Sequence, residues 1–145
     1  MSGIVRTSKA PAPVGAYPHA RRVGDLLFLS GVGPRQPADN AIPGNVYDAQ
    51  GTLVGYDIEA QCRQVFANVR AVLEASGARW EDLVDVTVFL TDMARDFPVY
   101  NRLYAEYFAG VDACRTTLGI TALPTPIAIE LKCIASLPCN ESGPR

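Results

Sequence analysis

The stretch Cys114–Ala135, CRTTLGITALPTPIAIELKCIA, decides how the chain folds, because it sets an arginine and a glutamate inside two otherwise apolar strand-like runs. From Arg115 to Ile120, the apolar Leu118 and Ile120 alternate with Arg115, Thr117 and Gly119, the period-two pattern of a half-buried strand. Leu123, Pro124, Thr125 and Pro126 then make a rigid turn. From Ile127 the alternation resumes, with Ile127, Ile129, Leu131 and Cys133 on one face and Ala128, Glu130, Lys132 and Ile134 on the other. If the more apolar face packs on helices, Arg115 and Glu130 share the opposite one.

Upstream of this stretch, Leu83–Leu90 reads as a strand with Val84, Val86, Val88 and Leu90 set against Asp85, Thr87 and Phe89. A helix between the two starts near Asp96, accepts Pro98 in its first turn, carries Tyr100, Leu103, Tyr104, Tyr107 and Phe108 on one side, and closes at Gly110. An earlier helix begins at the N-cap Asp57, with Glu59 in its first turn. Ile58, Cys62, Val65, Phe66, Val69 and Leu73 give it one apolar stripe, and Gly77 stops it. Further back, Ala20–Val23 and Leu26–Ser30 flank Gly24-Asp25 as a hairpin, and the unbroken run Leu26–Leu29 predicts a strand covered on both faces. Gly31 and Gly33 end it, where another backbone or a ligand can approach. Residues 1–16 read as an extended arm. Residues 34–56, with three prolines, read as a long loop with a short strand at Thr52–Val54, and loops of that length commonly serve as lids or binding loops.

These elements predict an α+β fold: a single mixed β-sheet with two α-helices packed on one face, all in one domain spanning 1–145. Two helices cover only one side of such a sheet, so its other face meets solvent or another subunit. Thr117, Ala128 and Ile134 make that face too apolar to be simply wet, which points to an oligomer interface. A chain of 145 residues, 48% hydrophobic, has enough apolar surface for one core. A net charge of −2 argues against a nucleic-acid surface. With no apolar run near the roughly 20 residues that cross a bilayer, and no signal-peptide pattern, the expectation is a soluble cytoplasmic protein without a membrane partner. Cys62, Cys114, Cys133 and Cys139 contain no C-x-x-C pair and the chain has one histidine, which argues against a zinc site. Cys62 and Cys133 read as small buried hydrophobes. Nucleotide-binding glycine loops and the G-x-S-x-G elbow are absent.

Four segments carry a family likeness: APAPVGAYPHA with GDLLFLSG (Ala10–Gly31), DIEAQCRQVFANVRAVLEASGA (Asp57–Ala78), DVTVFLTDM (Asp85–Met93), and RTTLGITALPTPIAIE (Arg115–Glu130). Through them the chain resembles the RidA/YjgF (reactive intermediate deaminase) family over nearly its whole length. The resemblance implies a homotrimer with a central barrel, active sites in the clefts between subunits, and hydrolysis of enamines or imines to 2-oxo acids and ammonia. A hexamer of two trimers is compatible with it. Within the family, YNRLYAEYF (Tyr100–Phe108), the RTT triplet at Arg115, Pro18-His19 and the long 34–56 loop resemble the 2-aminomuconate deaminases. That likeness implies conversion of 2-aminomuconate to 4-oxalocrotonate in aromatic-compound degradation, the alternative being a general 2-iminoacid deaminase or a non-catalytic ligand-binding trimer. Thr117 stands where general members often have a cysteine.

The residue chemistry fits an imine hydrolase. Arg115 offers a planar fork for the substrate carboxylate, unless it simply pairs with Glu130. Glu130 is the candidate acid–base for water attack. Backbone N–H groups near Ser30 and Gly31 are candidates for a second carboxylate oxygen, and Tyr17 for covering the substrate, with a core role equally open. Arg35 and His19 are candidates for a distal carboxylate, against purely structural roles. Asn101 and Thr117 complete the expected substrate contacts. The amino substrate is already activated, so no metal or organic cofactor is expected.

Overall fold

The structure, a computed structural model, describes residues 3–138; Cys139 lies outside them. Among the described residues, eight strands and two α-helices follow one another as β1 (Ile4–Val5), β2 (Ala20–Val23), β3 (Leu26–Leu29), β4 (Val46–Tyr47), β5 (Leu53–Gly55), α1 (Ile58–Ala75), β6 (Leu83–Leu90), α2 (Met93–Phe108), β7 (Cys114–Gly119) and β8 (Ile129–Ser136), with a short 3-10 turn at Trp80–Asp82. Six strands form one sheet in the order β1-β2-β3-β8-β6-β7, antiparallel except for the β6–β7 pair. A parallel pair needs a crossover, and α2 supplies it. The expected mixed sheet with two helices packed together on one face is what forms.

The core lies between that face and the helices. Val86, Val88 and Leu90 of β6 and their β8 partners Cys133, Leu131 and Ile129 are fully buried, as are Cys62, Val65, Val69 and Leu73 of α1. Phe66, Trp80, Tyr104 and Phe108 form an aromatic cluster at one end, with Tyr104 stacked on Phe108 at 3.9 Å. Asp57 caps α1 as its sequence position predicts, accepting from the Ala60 N–H.

Several expectations need correction. The N-terminal arm, extended as expected, contains a short strand that was not expected: β1 adds to the sheet edge, and Ala10 is buried. The loop 34–56 contains a hairpin, β4 with β5, rather than a lone strand at Thr52–Val54. Leu26 is 42% exposed, so β3 is covered on one face only; a continuous apolar run cannot tell burial from an uncovered apolar face. A register shift between Leu83 and Asp85 turns Leu83 inward and leaves Val84 exposed, against the plain alternation of the sequence. Helix α2 starts three residues earlier than expected, capped by Asp92, and so carries Pro98 inside it rather than in its first turn. Strand β8 begins at Ile129, with Ala128 buried rather than on the open face.

The largest correction concerns β7. Arg115 and Thr117 are the register partners of Val86 and Val88, and therefore face the helices. Glu130 and Lys132 pair with Phe89 and Thr87 and lie on the open face. Leu118, the residue taken to be buried, is 43% exposed on that open side, opposite Phe89. Arg115 and Glu130 thus sit on opposite faces of one sheet.

Candidate active site, in two halves

The half around Glu130 forms where β3 runs out. Val32 makes a bridge with Leu131, giving its N–H at 2.8 Å and accepting at 2.9 Å. Gly31, just before that bridge, lies flush against the glutamate: a Cβ built on it would come 2.6 Å from Oε2. A side chain here would displace the carboxylate. Glu130 is half-buried, and among the described residues its carboxylate has neither a hydrogen-bond donor nor a cation. Burial alone pushes its pKa up. The carboxylate opens into a cleft of about 140 Å³ lined also by Val14, Tyr17, Gly31, Gly33, Arg35, Pro124, Thr125 and Ile127.

The N-terminal arm roofs this cleft and is tied down by side chains given substrate roles in the sequence reading. His19 accepts the Thr7 N–H at Nδ1 (3.3 Å), which leaves Nε2 protonated to donate to the Pro11 carbonyl (2.9 Å). Arg35 donates to the Asn40 side chain and the Ala12 carbonyl, both at 2.7 Å. The Ser30 hydroxyl donates to Pro18 O at 2.7 Å, and the Tyr17 hydroxyl accepts the Val14 N–H at 3.2 Å. His19 has no free nitrogen for a ligand. Arg35 lines the cleft with no carboxylate partner among the described residues.

The second half lies across the sheet. Arg115, exposed on the edge strand, donates to Asn101 Oδ1 at 2.8 Å. Its guanidinium lies 4.8, 5.4 and 6.0 Å from the ring centres of Tyr104, Tyr100 and Phe97. Thr117 shares a 3.1 Å hydrogen bond with the Tyr100 hydroxyl. No carboxylate among the described residues pairs with Arg115. The three rings were missed as parts of the site; their spacing along α2 reads as core, and only the outward position of Arg115 shows the second use.

The nine candidate residues therefore divide into Tyr17, His19, Ser30, Gly31, Arg35 and Glu130 on one side and Asn101, Arg115 and Thr117 on the other. A sequence model of the family described as endoribonuclease L-PSP matches residues 7–137. Reactive intermediate deaminase A, chloroplastic, of Arabidopsis thaliana is 38% identical over 134 residues, 92% of this chain and 65% of that protein. The chain belongs to the RidA/YjgF family. A 2-iminobutanoate/2-iminopropanoate deaminase of Dermatophagoides farinae is 35% identical over 132 residues, 90% of this chain and 93% of that one. Among solved structures, the YjgF gene product of E. coli superposes with a TM-score of 0.78 at 31% identity, covering 93% of this chain and 98% of that one. Measured against this RidA/YjgF fold, both halves of the candidate site lie within matched sequence.

Proposed function

We propose that the protein is a hydrolytic deaminase of small 2-imino acids and their enamine tautomers, working at a site assembled between two copies of the chain. One observation carries the reading: among the described residues, a propped arginine without an anion and a half-buried carboxylate without a cation lie on opposite faces of one sheet. A neighbouring copy placed against the open face brings one half to the other. The names of the relatives, reactive intermediate deaminase and 2-iminobutanoate/2-iminopropanoate deaminase, support the same chemistry.

Arg115 of one copy grips the substrate carboxylate with two parallel hydrogen bonds, its fork held in plane by Asn101 and the rings. Glu130 of the neighbour takes a proton from water as the oxygen attacks C2 of the protonated C=N bond, the iminium. The tetrahedral amino alcohol collapses when Glu130 gives that proton to nitrogen and takes the hydroxyl proton as the C=O bond forms, so the C–N bond breaks, ammonia leaves and the 2-oxo acid forms. For an enamine, the protonated carboxyl first delivers a proton to C3. A carboxyl whose pKa burial has raised is suited to cycling between both forms.

The narrower substrate, 2-aminomuconate, draws less support than the general reading. Of the two residues considered for its distal carboxylate, His19 is fully engaged with backbone, and only Arg35 still faces the cleft. Endoribonuclease chemistry, the word in the family description, is not favoured by a net charge of −2 and a single histidine whose ring nitrogens are both used. The test is ammonia release from freshly generated 2-iminobutanoate and from 2-aminomuconate. Wild type accelerates release from the first, and Arg115→Lys, which keeps charge but loses the fork, falls about 100-fold. Equal rates with and without protein, or an unaffected lysine variant, would overturn the assignment.

A further inference from the structure

Two amide side chains on α1, Gln61 and Asn68, are fully buried although an apolar residue would pack there at no polar cost. They stand seven residues apart, two turns along one face of the helix. Each substitutes for a missing peptide group. Asn68 donates both Nδ2 hydrogens, to Gly33 O at 2.8 Å and Arg35 O at 2.7 Å, and accepts from Gln64 at 3.0 Å. In an extended segment the carbonyls of residues two apart point the same way, so one amide can bridge them. Gln61 works at the entry to β8: Thr91 N–H reaches Ala128 O at 3.1 Å, but the Ala128 N–H turns to Gln61 Oε1 at 2.8 Å. Gln61 Nε2 donates to Asn45 at 3.1 Å, and Asn45 in turn donates to Pro126 O at 2.9 Å.

The segments so held are the two walls of the Glu130 cleft. Gly33 and Arg35 line one side; Thr125 and Ile127, each next to a residue held by the bonds at Pro126 and Ala128, line the other. We propose that Gln61 and Asn68 are positioning residues, anchoring both walls to α1 so that the Glu130 carboxylate stays in a narrow, poorly hydrated cleft. The proposal rests on Glu130 being the acid–base of the reaction, and the amides act only through it. Loosening either anchor lets water reach the carboxylate, while the Arg115 half on α2 and β7 is untouched.

The test uses Gln61→Met and Asn68→Ala in the full chain, with the Glu130 carboxyl followed by NMR on ¹³C-glutamate-labelled protein and kcat and KM measured against pH. The expected result is a shift of both the Glu130 titration and the acid limb of kcat/KM to lower pH, with kcat reduced about tenfold and KM little changed. Lower thermal stability with the titration and the limb left at their wild-type positions would show a merely structural role and overturn the proposal. Should either variant fail to fold, Asn45→Ala removes, at a half-exposed loop residue, both the acceptor for Gln61 and the donor to Pro126. It is expected to shift the titration in the same direction, and a wild-type titration there also overturns the proposal. If wild-type protein releases no ammonia from any imine, the hydrolase reading fails, whereas the carboxyl titration still decides this one.

Discussion

Glu130 shows how a single side chain can be costly to the fold and necessary to the site. Within one subunit burial raises its pKa, with no partner among the described residues to offset the effect, so the folded subunit holds the neutral form more tightly than the unfolded chain does. By linkage, its stabilising effect is complete below the unfolded carboxyl pKa and is lost as pH rises through the higher folded value. Glu130→Gln is therefore expected to raise the melting temperature at pH 8 by a few degrees and leave it unchanged near pH 4, while abolishing turnover. A lower melting temperature at pH 8 would contradict this. Gly31 makes the complementary point, since alanine there would place a carbon 2.6 Å from Oε2 and displace the carboxylate. Gly31→Ala is expected to keep the fold by circular dichroism and lose about 100-fold in kcat; an activity within twofold of wild type would show that the carboxylate has room to move. The sequence made Glu130 and Gly31 legible as candidates. It could not show their contact, because about a hundred residues of chain separate them.

At the level of elements, hydrophobic period was a better guide than hydrophobic face. The span of β6 and the stripe of α1 follow from alternation and helical spacing and that of β2 from the Gly24-Asp25 turn, while β7 lies one residue before the expected Arg115–Ile120. Which side of β7 faces the helices did not. As an edge strand it exposes Leu118, while the guanidinium of Arg115 lies over aromatic rings, so the more apolar side is the uncovered one. The start of α2 was misplaced because Pro98 resembles a first-turn residue, yet Asp92 caps the helix and Asp96 ends up buried. Asp96 accepts from the Tyr56 hydroxyl at 2.6 Å, its other oxygen has no hydrogen bond, and burial raises its pKa. Removing that hydroxyl leaves a buried carboxylate without its donor. Tyr56→Phe is expected to cost about 1–3 kcal/mol in urea unfolding at neutral pH, tying the end of the 34–56 segment to α2. An unchanged unfolding midpoint would mean that the bond is not contributing.

For the whole molecule, the open face is the decisive surface. Ile4, Val23, Leu26 and Leu118 are exposed on it, and Phe28, Phe89 and Ile134 are only half-buried. Such a face is an expected site of association. It carries Glu130, whereas Arg115 sits behind the sheet, so a working site drawn from both requires a neighbour. The direct measurement is complementation between inactive subunits: Arg115→Ala and Glu130→Gln proteins are unfolded together, refolded as a 1:1 mixture, and assayed for ammonia release from 2-iminobutanoate. In a closed ring whose sites each take one residue from each neighbour, random mixing restores about a quarter of wild-type activity although both parents are inactive. If the mixture, once shown by mass spectrometry to contain mixed oligomers, stays as inactive as its parents, the two residues do not serve one shared site.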